Sequence, residues 1–294
     1  MNTYNSEKYI EEAINSVVKQ SYKNWELIIY DNCSNDQTKN KVKLFNDKRI
    51  IYILANKHSH LGKARFDAEK YLDGEYLGIL DSDDIWESKK LEIQIPLFDE
   101  ITAVIYSNTI FFDKNHEKIL YTKKQPSGYI FQKLLSNYNI SLESLLIKRE
   151  SINSLSHFFD PDFKLISDFD LVLRLSSKFK ILYDPTILSK WRMHSDNSSK
   201  GKLIQFINEK RLWLKKNKYL LDNNSINKIK KKFNIDECLL CICDNDYKKA
   251  TKIFNGNFHY SLKYFFIFYI LKVKFFKNIL INLYKRRINY NELV

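Results

Sequence analysis

The chain has 294 residues, with 48 Lys and Arg against 35 Asp and Glu, 44% hydrophobic and 15% aromatic. That is enough apolar material for one or two packed domains, and it excludes a disordered tail or a disulfide mini-protein. The net charge of +13 is unevenly placed: residues 200–294 hold 21 basic and 7 acidic side chains, which leaves the first 199 residues nearly neutral.

Lys, Asn and Ile are abundant throughout, so the basic tail is weaker evidence for an anionic partner than its charge suggests. No nucleic-acid-binding motif accompanies it. Cys33, Cys238, Cys241 and Cys243 are too few for a secreted disulfide framework. No signal peptide is visible, and the longest apolar run, residues 264–271, is far below the roughly 18 residues of a spanning helix. These features predict a cytoplasmic protein, free or bound to a membrane surface.

In chain order, Tyr9, Ile10, Ala13, Ile14, Val17 and Val18 recur at helical spacing and predict a helix over residues 6–19, entered through Asn5 and Ser6. A buried strand at 26–30 precedes a polar loop from Asp31 to Asp36, which caps a helix at 37–45. Then follow a strand at 50–54, a helix at 61–72, a strand at 76–80, a helix at 89–97 and a strand at 103–107. Past Asn108 the pattern loosens, with a helix at 129–135, a strand at 142–147, a helix at 169–176 and a strand at 180–183. Such alternation predicts an α/β fold with a mainly parallel, Rossmann-like sheet whose ligands bind beyond the carboxyl ends of the strands. After His194 the chain becomes Lys-rich and helical, so two regions are expected, 1–199 and 200–294.

The most informative stretch runs from Leu77 to Trp86, a strand that delivers Asp81, Asp83 and Asp84 within four residues. Three carboxylates so close repel one another unless a cation or hydrogen-bond donors neutralise them. Mg²⁺ or Mn²⁺ suits such hard oxygen ligands; an acidic helix cap fits the spacing equally well.

Tyr4-Asn5, Gln20-Ser21-Tyr22, the run from Glu26 to Asp36, Ala64-Arg65, Gly74-Glu75-Tyr76 and Leu80-Asp81-Ser82-Asp83-Asp84-Ile85-Trp86 with Lys90-Leu91-Glu92 resemble, in order and spacing, the family 2 glycosyltransferases of GT-A fold. Ser167-Asp168-Phe169-Asp170-Leu171 with Arg174, then Trp191-Arg192-Met193-His194 with Ser198, resemble the family's second conserved region. The resemblance covers roughly residues 1–199 and is of the bacterial surface-glycan type.

It implies that Tyr4 stacks on a nucleotide base, that Asp31 and Asn32 contact base and ribose, and that Arg65 lies near the nucleotide and its diphosphate. Asp81 would contact the ribose or a metal-bound water, while Asp83, and His194 from the late Arg-x-His element, would hold Mn²⁺ or Mg²⁺. Asp168 would be the general base of an inverting displacement that moves a sugar from a nucleotide diphosphate, a UDP-sugar above all, to a saccharide or lipid-linked glycan. Asp170 is the neighbour most easily mistaken for that base.

Departures from the family are informative. Asn32 stands where Asp is usual and loses charge assistance toward the base. Cys33 replaces a usual glycine, acceptable if φ is negative there. Met1-Asn2-Thr3-Tyr4-Asn5 opens the chain where the family has an apolar strand, so the first strand is expected to be missing. His58, His60, His116, His157 and His259 have no comparable context.

Cys238, Cys241 and Cys243 lie on an apolar helical pattern and read as buried free thiols. The aromatic, Lys-rich segment 257–294 suits either a helix at an anionic membrane interface, on the inner face of the cytoplasmic membrane, or a packed helical subdomain. A nucleotidyltransferase, or a glycosyltransferase-like scaffold without activity, are the alternative functions; the first usually carries a glycine-rich basic loop, and none is visible.

Overall fold

The computed structural model describes residues 1–194, 197 and 202–257, with backbone alone at Cys243, Gly256 and Asn257. The chain divides into two compact units, residues 1–197 and 198–294. The first contains β1 (Asn2–Thr3), α1 (Ile10–Val18), β2 (Leu27–Asp31), α2 (Thr38–Val42), β3 (Ile50–Leu54), α3 (Leu61–Ala68), β4 (Tyr76–Gly78), β5 (Ile85–Trp86) and α4 (Lys90–Gln94). It continues with β6 (Thr102–Phe112), β7 (Glu117–Ile119), α5 (Phe131–Ser136), β8 (Leu146–Lys148), α6 (Arg149–Ile152), α7 (Ser167–Ser176) and β9 (Lys180–Arg192). The second contains α8 (Leu203–Asn217), α9 (Asn223–Cys243) and α10 (Tyr247–Asn257).

β1, β2 and β3 form a parallel sheet in that order. Every residue of β2 is buried, as a strand covered on both faces must be. On one face Leu27 and Ile29 meet Ile10, Ile14 and Val17 of α1 and Val42 of α2; on the other Tyr30 meets Ala64 and Ala68 of α3. The expected absence of the first strand is corrected. Asn2 and Thr3 pair with Tyr30 and Asp31, and the Tyr30 and Asn32 amides donate to the Met1 and Thr3 carbonyls.

α1 starts at Ile10, later than predicted, because Ser6 is committed elsewhere. Its amide donates to the Thr38 hydroxyl and its own hydroxyl pairs with Ser82 at 2.7 Å. That places the helix entrance beside the acidic segment that follows β4.

The second sheet runs β4-β8-β6-β9-β5, with β7 on β6, and only its β6–β9 pair is parallel. Parallel pairing thus dominates the first sheet and not the second. β6 and β9 are far longer than the segments 103–107 and 180–183 predicted from their apolar cores. Asp184 pairs with Ser107 but Ile187 with Asn108, so β9 bulges around Pro185, which lacks an amide hydrogen, and then resumes pairing to Arg192. This continuation carries the late motif to the site.

In the second unit, Cys238, Cys241 and Ile242 of α9 pack with Ala250 and Phe254 of α10. Cys238 and Cys241 are buried free thiols, as expected, and burial pushes Cys238 up to about 11. His259 and Ser198 lie outside the described residues. So does the segment 257–294 from residue 258 onward, together with its expected membrane contact.

Gly62 sets how closely α3 approaches the segment before α7. A Cβ there would lie 1.6 Å from the Phe163 carbonyl oxygen, which is backbone and cannot rotate away. Gly62→Ala should therefore destabilise the protein by about 2–3 kcal/mol, the upper range for overpacking. Urea denaturation with unchanged m-value would show it.

Candidate active site

Loops after the strands of the parallel sheet build the first half of the site. Asp31 ends β2, buried; it accepts the Tyr52 phenol at 2.5 Å and the Ser34 amide at 2.8 Å. Asn32 is also buried, and its side chain forms a two-point lock on Ser59: the amide group donates to the Ser59 carbonyl at 2.6 Å and the amide oxygen accepts the Ser59 N–H at 3.0 Å. Asn32 thus holds the 57–59 loop rather than presenting a free side chain.

The Asn32 backbone carbonyl lies 2.9 Å from His58 Nδ1, and the His58 ring meets the half-exposed Tyr4 ring at 4.3 Å between centroids. Tyr4 and His58 together offer an aromatic face suited to a planar base. His58 was given no role by sequence, because what marks it is its spatial proximity to Tyr4. Cys33 has φ of +68°, so the condition for replacing glycine comfortably is not met; its thiol reaches the Ala55 carbonyl at 3.3 Å.

Arg65, on α3, is buried and central. Its Nη2 bonds both Asp81 oxygens at 2.8 and 3.0 Å, and its Nη1 donates to the Ser167 hydroxyl at 2.9 Å. One guanidinium therefore ties the segment after β4 to the first turn of α7, where Asp168 lies. Asp83 Oδ2 stands 2.8 Å from His194 Nε2, so these two predicted metal ligands meet.

Arg192, two residues before His194, fixes that meeting. Its amide donates to Asp84, its Nε donates to the Asp83 carbonyl, both at 2.8 Å, and its guanidinium lies between the rings of Tyr9 and Phe112. The sequence placed Arg192 in a motif but gave it no task. Asp84 faces inward, and burial, followed by Asp83, Glu143 and Asp81, raises its pKa well above the ordinary carboxylate range.

Behind Asp84 are two more buried ionisable groups, both missed by sequence reading because neither lies in a recognisable motif. Glu143 accepts the Ser141 hydroxyl, and burial pushes it up to about 7. Lys90 donates to Gln94 Oε1 at 2.8 Å and the Ser144 carbonyl at 2.7 Å, and burial brings it down to about 7.

Asp168 occupies the first turn of α7. Burial raises its pKa, opposed by the Arg65 charge, the amides of that turn and the Tyr138 phenol. Asp170, by contrast, is spoken for: Arg174 Nε and Nη2 donate to its Oδ2 at 2.9 and 2.6 Å. His157, Asp160 and Asp170 also converge, but Arg174 already supplies a cation there.

The donor set at Asp83 and His194, carboxylate oxygen and imidazole nitrogen with Asp81 and Asp84 adjacent, fits a hard divalent cation such as Mn²⁺ or Mg²⁺. A shallow aromatic face, a cation site and a carboxylate at a helix start are thus aligned by Arg65.

Comparison with known proteins agrees with this arrangement. A glucosyltransferase of Escherichia coli, WfgD, described as UDP-Glc:alpha-D-GlcNAc-diphosphoundecaprenol beta-1,3-glucosyltransferase, is 33% identical over 218 residues, covering 72% of this chain and 82% of its own. TuaG of Bacillus subtilis, a putative teichuronic acid biosynthesis glycosyltransferase, is 28% identical over 207 residues, covering 68% and 80%. Among solved structures, S. aureus TarS 1–349 in complex with UDP-GlcNAc superposes with a TM-score of 0.61 at 20% identity, over 79% of this chain and 69% of that one, a likeness of fold. The family described as Glycosyl transferase family 2 matches residues 1–155, which sets aside the nucleotidyltransferase alternative. The chain belongs to glycosyltransferase family 2, and it is a glycosyltransferase of GT-A type.

Proposed function

We propose that this enzyme is an inverting, metal-dependent glycosyltransferase that moves a sugar from a UDP-sugar to a lipid-linked or saccharide acceptor in bacterial surface-glycan assembly. The observation that carries the reading is the Arg65 bridge, which joins Asp81 to the turn holding Asp168. The relatives' printed activities supply the substrate class: WfgD takes UDP-glucose and a diphosphoundecaprenol-linked acceptor. UDP-glucose is accordingly the first donor to test. Among the described residues no helix is long and apolar enough to cross a membrane, and a lipid-linked acceptor would be met at the inner face of the cytoplasmic membrane through the segment 257–294.

In this mechanism Tyr4 and His58 hold the base and Asp31 the nucleoside. Asp83 and His194 hold a divalent cation, with Asp81 beside it. The cation, when bound, supplies Lewis-acid stabilisation of the charge on the departing diphosphate. Asp168 takes the proton of the acceptor hydroxyl while that oxygen bonds to the anomeric carbon. The bond from that carbon to the diphosphate oxygen breaks on the opposite face, so configuration inverts in one displacement.

Two variants separate binding from chemistry. Asp83→Ala should abolish Mn²⁺-dependent binding of UDP-glucose in calorimetry. Asp168→Asn should keep donor binding within about threefold and reduce turnover by about 10³-fold or more, in keeping with loss of a general base. Retained turnover in Asp168→Asn would sink the base assignment.

The pH dependence follows from burial. Asp168 acts as a carboxylate, and its folded pKa lies above the ordinary carboxylate value. At saturating donor, turnover should therefore be full above that raised pKa and fall as the medium is acidified through it. A rate profile from acid to neutral pH would show this limb, provided UDP binding is unchanged across the same range.

A further inference from the structure

We propose that Tyr138 is a positioning residue for Asp168, its phenol donating to one carboxylate oxygen so that the other stays directed at the acceptor hydroxyl. The inference rests on the general-base reading above. Tyr138 follows α5, and its ring meets that of Phe169, the residue after Asp168, edge to face at 5.3 Å between centroids. Its hydroxyl is buried and makes no hydrogen bond of full geometry, a condition that folded chains seldom leave without a purpose.

The groups around the phenol name that purpose. Asp168 is the foremost charged neighbour, with Tyr121 and Glu143 farther down in effect. Asp168 in turn faces Arg65 from α3, the amides of its own turn and Tyr138. Burial, then the Asp168 charge, raises the phenol well above its ordinary value, so it remains a proton donor wherever the enzyme works.

A permanent donor beside a carboxylate does two things. It restricts the rotation of the carboxyl group, and it favours the charged form, holding the pKa below the value burial alone would set. Arg65 acts in the same direction on Asp168 but also holds Asp81, so its removal disturbs the donor side as well. Tyr138 is the more selective control.

Tyr138→Phe keeps the ring against Phe169 and removes only the hydroxyl. Carboxyl ¹³C NMR, with Asp168 assigned by its disappearance in Asp168→Asn, should show Asp168 titrating at higher pH in Tyr138→Phe than in wild type. Turnover of UDP-glucose should fall about tenfold, with unchanged donor affinity and an acid limb displaced to higher pH.

The coupling is reciprocal, so Asp168→Asn should lower the Tyr138 phenol pKa read from its ring ¹³C signal, a measurement that does not need Tyr138→Phe to fold. An unmoved Asp168 titration in Tyr138→Phe, or an unmoved Tyr138 titration in Asp168→Asn, overturns the inference. Coupling in both titrations together with retained turnover in Asp168→Asn overturns the base reading instead, and with it the catalytic meaning of Tyr138.

Discussion

The site depends on one guanidinium. Arg65 takes both oxygens of Asp81 with one nitrogen and the Ser167 hydroxyl with another, so the acidic segment after β4 and the start of α7 cannot move independently. A largely buried ion pair of this kind adds little net stability, since desolvation offsets much of the attraction. Its effect here is geometric. Arginine suits the task because its donors are fixed in a plane, where the point charge of lysine would hold one partner at a time. Gly62, three residues earlier, makes the arrangement reachable by letting α3 lie against the Phe163 carbonyl.

Much of this was legible in sequence because it is local. β3 falls at its predicted residues, and β2 and α3 differ from prediction by a residue or a few at their ends. The strand-then-carboxylate pattern at Leu80–Asp84 announced the cation site, and Asp168 was found by its place in a second motif. The structure brings Asp83 and His194 together across 111 residues of chain, as the resemblance implied.

What sequence hid is non-local. β9 could not be read past Pro185, since a proline inside a strand argues against it, and only pairing with β6 through a bulge rescues the ladder. Tyr138, Glu143, Lys90 and His58 are scattered single residues whose roles arise from burial and neighbours, quantities that periodicity does not report. Lys90 in particular would ordinarily be assigned to solvent, yet its ammonium lies inside, bonded to Gln94 and Ser144. These buried groups sit behind the exposed acids and fix where the Asp81–Asp84 segment can rest.

The Asn32 lock has an outcome for anyone who would revert this chain to the family's usual acid. Asn32 offers Ser59 a hydrogen and an acceptor at once, matching the carbonyl and amide it faces. Aspartate, nearly the same in shape, would put an oxygen where the Asn32 amide hydrogens now meet the Ser59 carbonyl, and two oxygens 2.6 Å apart with no proton between them repel. At this position the familiar residue is the disruptive one, and the amide and the 57–59 loop form a single inherited unit that can only be exchanged together.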